Sequence, residues 1–129
     1  MVLTALSATD SDMWYLDSGC SRHMTGNAAL FTTLEDYNGG SVRFGDGGKA
    51  KVVGKGTVSI PGMSKLTDVY LVDGLKTNLL SISQLCDNFH EVHFSAQECT
   101  IVDKRGKTVL HGMRNSGNCY VVSSDKSLS

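Results

Sequence analysis

Fourteen glycines and a single proline, Pro61, cut this chain into short segments in which polar and apolar residues alternate. Long helices do not survive such punctuation, whereas hairpins need it. Met13-Trp14-Tyr15-Leu16 reads as a strand running into Asp17-Ser18-Gly19. Ser41-Val42-Arg43-Phe44 and Lys49-Ala50-Lys51-Val52-Val53 flank Gly45-Asp46-Gly47-Gly48, which predicts a hairpin with a glycine-rich tip. Gly56 to Ile60 is a further strand, closed by Pro61-Gly62. Leu66 to Val72 is apolar on both faces, as a central strand is. Asn78 to Cys86 places Leu79, Ile82 and Cys86 at helical spacing, with Thr77 or Asn78 as the cap. Glu91–Phe94, Cys99–Val102, Lys107–Leu110 and Cys119–Val122 complete the strands. The expected fold is all-β, a small closed barrel with one short helix.

Composition narrows the setting. The chain has 129 residues, 40 % hydrophobic and 19 % charged, enough for one domain with its own core and no need of a metal or disulfide. Twelve basic residues face thirteen acidic ones, which removes any global charge argument for nucleic acid or an anionic membrane. Cys20, Cys86, Cys99 and Cys119 show no paired spacing and read as reduced thiols of an intracellular protein. The longest apolar runs are strand-length, and the first residues lack the form of a signal peptide. Residues 1–12 and 123–129 are small and polar and read as a flexible arm and tail around a domain at 13–122.

The chemistry is concentrated in Trp14-Tyr15-Leu16-Asp17-Ser18-Gly19-Cys20-Ser21. A strand delivers a carboxylate into a sharp turn of a hydroxyl residue and a glycine. Aspartic proteases need that arrangement, because two carboxylates must be held close by backbone N–H groups. Any turn favours the same residue types, so the triplet alone is weak.

The wider context is more specific. Asp17-Ser18-Gly19-Cys20-Ser21-Arg22-His23-Met24-Thr25-Gly26 resembles the protease motif of copia-type (Ty1-like) retrotransposon polyproteins, D-[ST]-G-[AC]-[ST]-x-H-M-x-G. Val42 to Gly47, Gly54 to Val58, Leu66 to Ser81 and Cys99 to Tyr120 resemble further blocks of that family, in the same order. The resemblance covers residues 13–122. It implies a retropepsin-like barrel with extra C-terminal strands, in which 91–122 could form an extension toward integrase. It also implies a homodimeric aspartic endopeptidase, in the cytoplasm within a virus-like particle, that cleaves its own Gag-Pol polyprotein without a cofactor. Asp17 would be the catalytic carboxylate, Ser18 and Gly19 the supporting turn, and Cys20 with Ser21 part of the substrate pocket. Phe44, Gly45, Asp46, Gly47 and Gly48 would form a flap over the substrate. Asn78-Leu79-Leu80 would open the helix beneath the site.

Such an enzyme needs two copies of Asp17. Like charges at close range cannot both ionise, so one proton is shared; aspartic proteases are the standard instance. The ionised carboxylate takes a proton from water, which attacks the scissile carbonyl. Activity is then expected to peak at mildly acidic pH. Two features depart from the retropepsin pattern. The apolar–apolar–Gly element before the helix has only Val72-Asp73-Gly74 as its nearest candidate, and Ser21 and Arg22 stand where viral enzymes carry acids.

Plainer roles compete for several residues. His23 suits a structural bond to a loop carbonyl, since an aspartate pair needs no further base. Cys86, His90, His93 and Cys99 follow C-x3-H-x2-H-x5-C, which fits no common zinc spacing, and no metal is expected. Gly45 to Gly48 lacks the lysine, serine and helix of a phosphate loop. Arg43, Lys49, Lys51 and Lys55 read as solvated edge positions, acidic substrate or nucleic acid being the alternative. Trp14 belongs to the core or to a dimer interface. The alternative to a peptidase is a catalytically silent interaction module of the same fold.

Overall fold

The computed structural model describes residues 13–44, 46–61 and 65–123. The expected arm at 1–12, the tail beyond Ser123, Gly45 of the flap and Gly62 of the Pro61-Gly62 stop lie outside the described residues. The fold is all-β with one short helix. Its strands are β1 (Met13–Asp17), β2 (Met24–Thr25), β3 (Phe31–Asp36), β4 (Ser41–Arg43), β5 (Lys49–Val58), β6 (Leu66–Val72), β7 (Asn78–Ser81), β8 (Glu91–Phe94), β9 (Glu98–Val102), β10 (Thr108–Arg114) and β11 (Tyr120–Ser123), and α1 spans Ile82–Asp87.

The strands join in one sheet, ordered β3-β5-β6-β2-β7-β1-β11-β10-β9-β8, with β4 branching from β5. The expected closed barrel is not formed by hydrogen bonds, because end strands β3 and β8 are unpaired with each other. The reason lies at β1. One of its edges pairs in parallel with β7 and the other takes β11 antiparallel. The sheet therefore grows outward through β10, β9 and β8 instead of curling back to β3.

Two apolar clusters fill the fold. The larger joins Trp14, Val58, Leu66, Val69, Leu80 and Leu85 to Cys99, Ile101, Leu110 and Val122 of the last strands. Residues 91–122 thus share a core with the rest, and Trp14 belongs to that core. The smaller cluster is built on Met24, Val52 and Val72, with Cys20, Val42, Phe44, Ala50 and Leu79 packed against it. It lies beneath the β4–β5 hairpin.

Several elements differ from the sequence expectation. Two strands expected over 49–60 are one, β5, which runs through Gly54 and Gly56 with bulges in its pairing to β6. A side chain at Gly56 would collide with the Thr33 carbonyl oxygen of β3, so glycine here admits a neighbouring backbone and does not end a strand. β3 itself, Phe31-Thr32-Thr33-Leu34-Glu35-Asp36, carries no alternation because it is mostly exposed at the sheet's edge. The helix begins four residues later than its apolar spacing predicts. Asn78-Leu79-Leu80-Ser81 is strand β7, and Ser81 is the N-cap, its side chain accepting from Gln84 N at 3.1 Å. The buried helical residues are Gln84 and Leu85, while Cys86 is exposed.

Candidate functional site

β1 ends on Asp17, whose backbone lies in register with Ser81 of β7. The chain then turns sharply. Gly19 N donates to Asp17 Oδ1 at 2.6 Å, and the Cys20 thiol reaches the Asp17 carbonyl at 3.8 Å. This is an Asx-type turn, for which the Asp-Ser-Gly order is suited. Ser18, Gly19, Ser21 and Arg22 are exposed, and Asp17 and Cys20 are half-buried. Burial, and then the charge of Asp17, push the Cys20 thiol up to about 11. At neutral pH it is a protonated wall residue, not a thiolate nucleophile.

Across from this turn stands the β4–β5 hairpin. Phe44 N donates to Gly48 O and Gly47 N to Phe44 O, both at 2.9 Å, and Gly48 N donates to Asp46 Oδ1 at 2.8 Å. Gly47 has φ +89°, a conformation that a side chain would strain. Between turn and hairpin lies a cleft of about 570 Å³, lined by Asp17, Gly19, Cys20, Ser21, Met24, Val42, Arg43, Phe44 and Leu79. Thus Asp17, Gly19, Cys20, Ser21 and Phe44 share one cavity. Ser18 belongs to the turn without lining it, and Asp46, Gly47 and Gly48 form the hairpin tip beyond it.

A buried polar network underlies the turn. The Ser81 hydroxyl donates to the Cys20 carbonyl at 2.8 Å, and Ser81 N donates to His23 Nδ1 at 2.9 Å. His23 N donates to Gln84 Oε1 at 2.7 Å, and Gln84 Nε2 donates to Thr67 O at 2.9 Å. Nearby, the Thr25 hydroxyl donates to Asn78 Oδ1 at 2.6 Å, and Asn78 Nδ2 donates to the Met13 carbonyl at 3.0 Å. These bonds tie the loop after Asp17 to β7, α1 and the start of β6. His23 is 1 % exposed. Burial, reinforced by Arg22 and His90, lowers its pKa to about 4. Because Nδ1 accepts from Ser81, the neutral ring carries its proton on Nε2.

Two expectations change here. His23 plays a structural part, but its ring accepts from a backbone N–H, and among the described residues it bonds no loop carbonyl. The element that lies beside the Asp17 strand is Leu79-Leu80-Ser81 of β7, whereas Val72 ends β6 and Asp73-Gly74 follow it. The sequence carries no sign of the buried bonds of Gln84 and Thr25, and Asn78, expected as a helix cap, bonds Thr25 and Met13 instead. Ser81-Ile82-Ser83-Gln84 does have the form of a capping box. Here the glutamine side chain reaches away to His23 and Thr67, and the Ser81 N–H it would ordinarily take goes to His23.

Among the described residues, no group of three His, Cys, Asp or Glu side chains is placed to hold a metal, and Cys86, His90, His93 and Cys99 are not gathered into a site. Among the same residues no helix is long and apolar enough to cross a membrane.

Residues 14–90 match the protein family described as Pol polyprotein, beta-barrel domain, more than half of the chain. The chain is 34 % identical over 82 residues to the transposon Ty5-1 protein YCL075W of Saccharomyces cerevisiae, covering 64 % of this chain and 56 % of the yeast protein. It is 30 % identical over 89 residues to the retrovirus-related Pol polyprotein from transposon RE2 of Arabidopsis thaliana, covering 66 % of this chain and 6 % of that protein. The chain therefore spans about half of the first relative and a small part of the second. No solved structure matches.

Proposed function

Because the chain belongs to the Pol polyprotein beta-barrel domain family, we propose that it is the aspartic endopeptidase segment of a copia-type retrotransposon Pol polyprotein. The observation that carries this reading is the cleft with Asp17 on its floor and the β4–β5 hairpin as its roof. A second chain supplies the second Asp17, since the cleft lining holds one carboxylate among the described residues. One proton is shared between the two carboxylates. The ionised member takes a proton from water, the resulting hydroxide adds to the scissile carbonyl carbon, and the protonated member donates to the carbonyl oxygen. The tetrahedral species then collapses with cleavage of the C–N bond and protonation of the leaving amine. The substrate is the parent polyprotein in extended form, processed in the cytoplasm within the particle, and the hairpin closes over it.

The relevant test is cleavage of the polyprotein precursor by wild type against Asp17→Asn. Loss of cleavage in a variant that keeps its fold supports the proposal, and cleavage retained in the variant ends it. The single carboxylate also favours a second reading, a silent β module that binds polypeptide in the same cleft. Wild type that binds precursor segments in the cleft yet never cleaves them, dimeric or not, would establish that second role.

A further inference from the structure

The cleft is apolar along Met24, Val42, Phe44 and Leu79, and its lining carries one cation, Arg43. Arg43 is exposed and sits directly opposite Lys49 across the β4–β5 ladder. Lys51, two residues further along β5, is exposed as well. Like charges directly opposite one another on a ladder repel. Nothing among the described residues neutralises them: the ion pairs there are His93–Glu91 and His111–Glu98, far along the sheet in β8 to β10. The one acid of the hairpin, Asp46, turns its Oδ1 to Gly48 N at the tip. The chain as a whole is nearly neutral, so this is a local concentration of charge and not a property of the whole surface.

We infer that the hairpin selects an acidic residue in the bound polypeptide, next to an apolar residue that fills the Met24–Phe44 side of the cleft. This deepens the peptidase reading and rests on the same cleft being its substrate site. An extended peptide presents alternate side chains to opposite sides. One side chain would meet the apolar Met24–Phe44 side and the neighbouring one the Arg43 guanidinium, which binds a carboxylate through paired N–H donors. Arg43 is then a specificity-determining residue with no part in bond breaking.

The test uses peptides with a central apolar pair and a single Glu, Gln or Lys scanned along them. Cleavage is measured with the wild-type domain, and binding with Asp17→Asn by fluorescence anisotropy. At one scanned position, Glu should be favoured over Lys by roughly two- to fivefold, the range of an exposed ion pair. Arg43→Glu should invert that preference, and Arg43→Gln should abolish it. Equal treatment of Glu and Lys peptides by wild type overturns the inference, as does a preference unchanged in Arg43→Glu. An oligonucleotide that binds more tightly than the Glu peptides, and loses affinity in Arg43→Glu, overturns it too. A charge preference in binding without cleavage would instead defeat the peptidase reading and leave this one standing.

Discussion

Ser81 N donates to His23 Nδ1 at 2.9 Å, so the strand beside Asp17 and the loop that follows Asp17 share one buried hydrogen bond. The imidazole can accept that bond only while Nδ1 is unprotonated. A protonated His23 would turn a donor toward a donor, inside a site that is 1 % exposed.

The pH dependence of stability follows. The folded-state pKa is about 4 against 6.5 for the ordinary imidazole. Between those values the unfolded chain binds the extra proton, so stability rises with pH across the window. The contribution is fully present above pH 6.5 and is lost progressively as pH falls toward 4, by on the order of 3 kcal/mol in total. Urea midpoints measured across this range should show the fall. His23→Asn should lower stability at neutral pH and flatten this part of the profile. An unchanged profile in the variant would assign the acid sensitivity to other groups. If the fall belongs to His23, the proposed peptidase activity at mildly acidic pH would be bounded below by loss of the turn's own support.

Gln84 gives a second handle on the same network. Its side chain bonds His23 N and Thr67 O from a buried position. Gln84→Ala leaves both backbone groups without that partner, which should cost roughly 2–3 kcal/mol. Chemical denaturation would register it, and a change of a few tenths would show that the two groups are satisfied otherwise.

Gly26 closes the motif that begins at Asp17, and a Cβ there would collide with the Leu75 carbonyl oxygen. Gly26→Ala should therefore destabilise by about 1–3 kcal/mol, with the backbone of the loop before β7 displaced. A variant as stable as wild type would place Gly26 among residues kept for another reason.

The last four strands belong to the folding unit. Val122 is fully buried and lies in register with Trp14, and Ile101 and Leu110 share the same cluster. A chain ending at His90, where the family match ends, loses one edge of β1 and part of its core. It should fail to show a cooperative thermal transition. Wild-type-like melting of that truncation would make 91–122 a separate appendage.

Alternation and glycine spacing made most of the strands legible, because burial on one face writes itself into every second residue. Leu66 to Val72 reads as a central strand from its two apolar faces, and β6 does lie between β5 and β2. Asp17-Ser18-Gly19 reads as a turn, and it is one. What could not be read depends on contacts distant in sequence. Gly54 to Gly56 looks like a break between two strands until Thr33 is placed beside Gly56. Asn78-Leu79-Leu80-Ser81 has helical spacing in isolation, and only its parallel pairing with Trp14 to Asp17 makes it a strand. Polar His23, Thr25, Asn78 and Gln84 give no periodic signal at all, since their partners lie up to 65 residues away. Closure of the sheet was likewise decided by β11 taking the free edge of β1.

The proposed pairing of two Asp17 carboxylates across a dimer is tested most directly by subunit mixing. Wild-type domain at fixed concentration is titrated with Asp17→Asn, and cleavage of the precursor is followed at each ratio. If each active site takes one Asp17 from each of two chains, the variant captures wild-type subunits in inactive pairs, and the rate falls steeply as variant is added. A rate that stays constant, set by the wild-type concentration alone, would contradict the shared site.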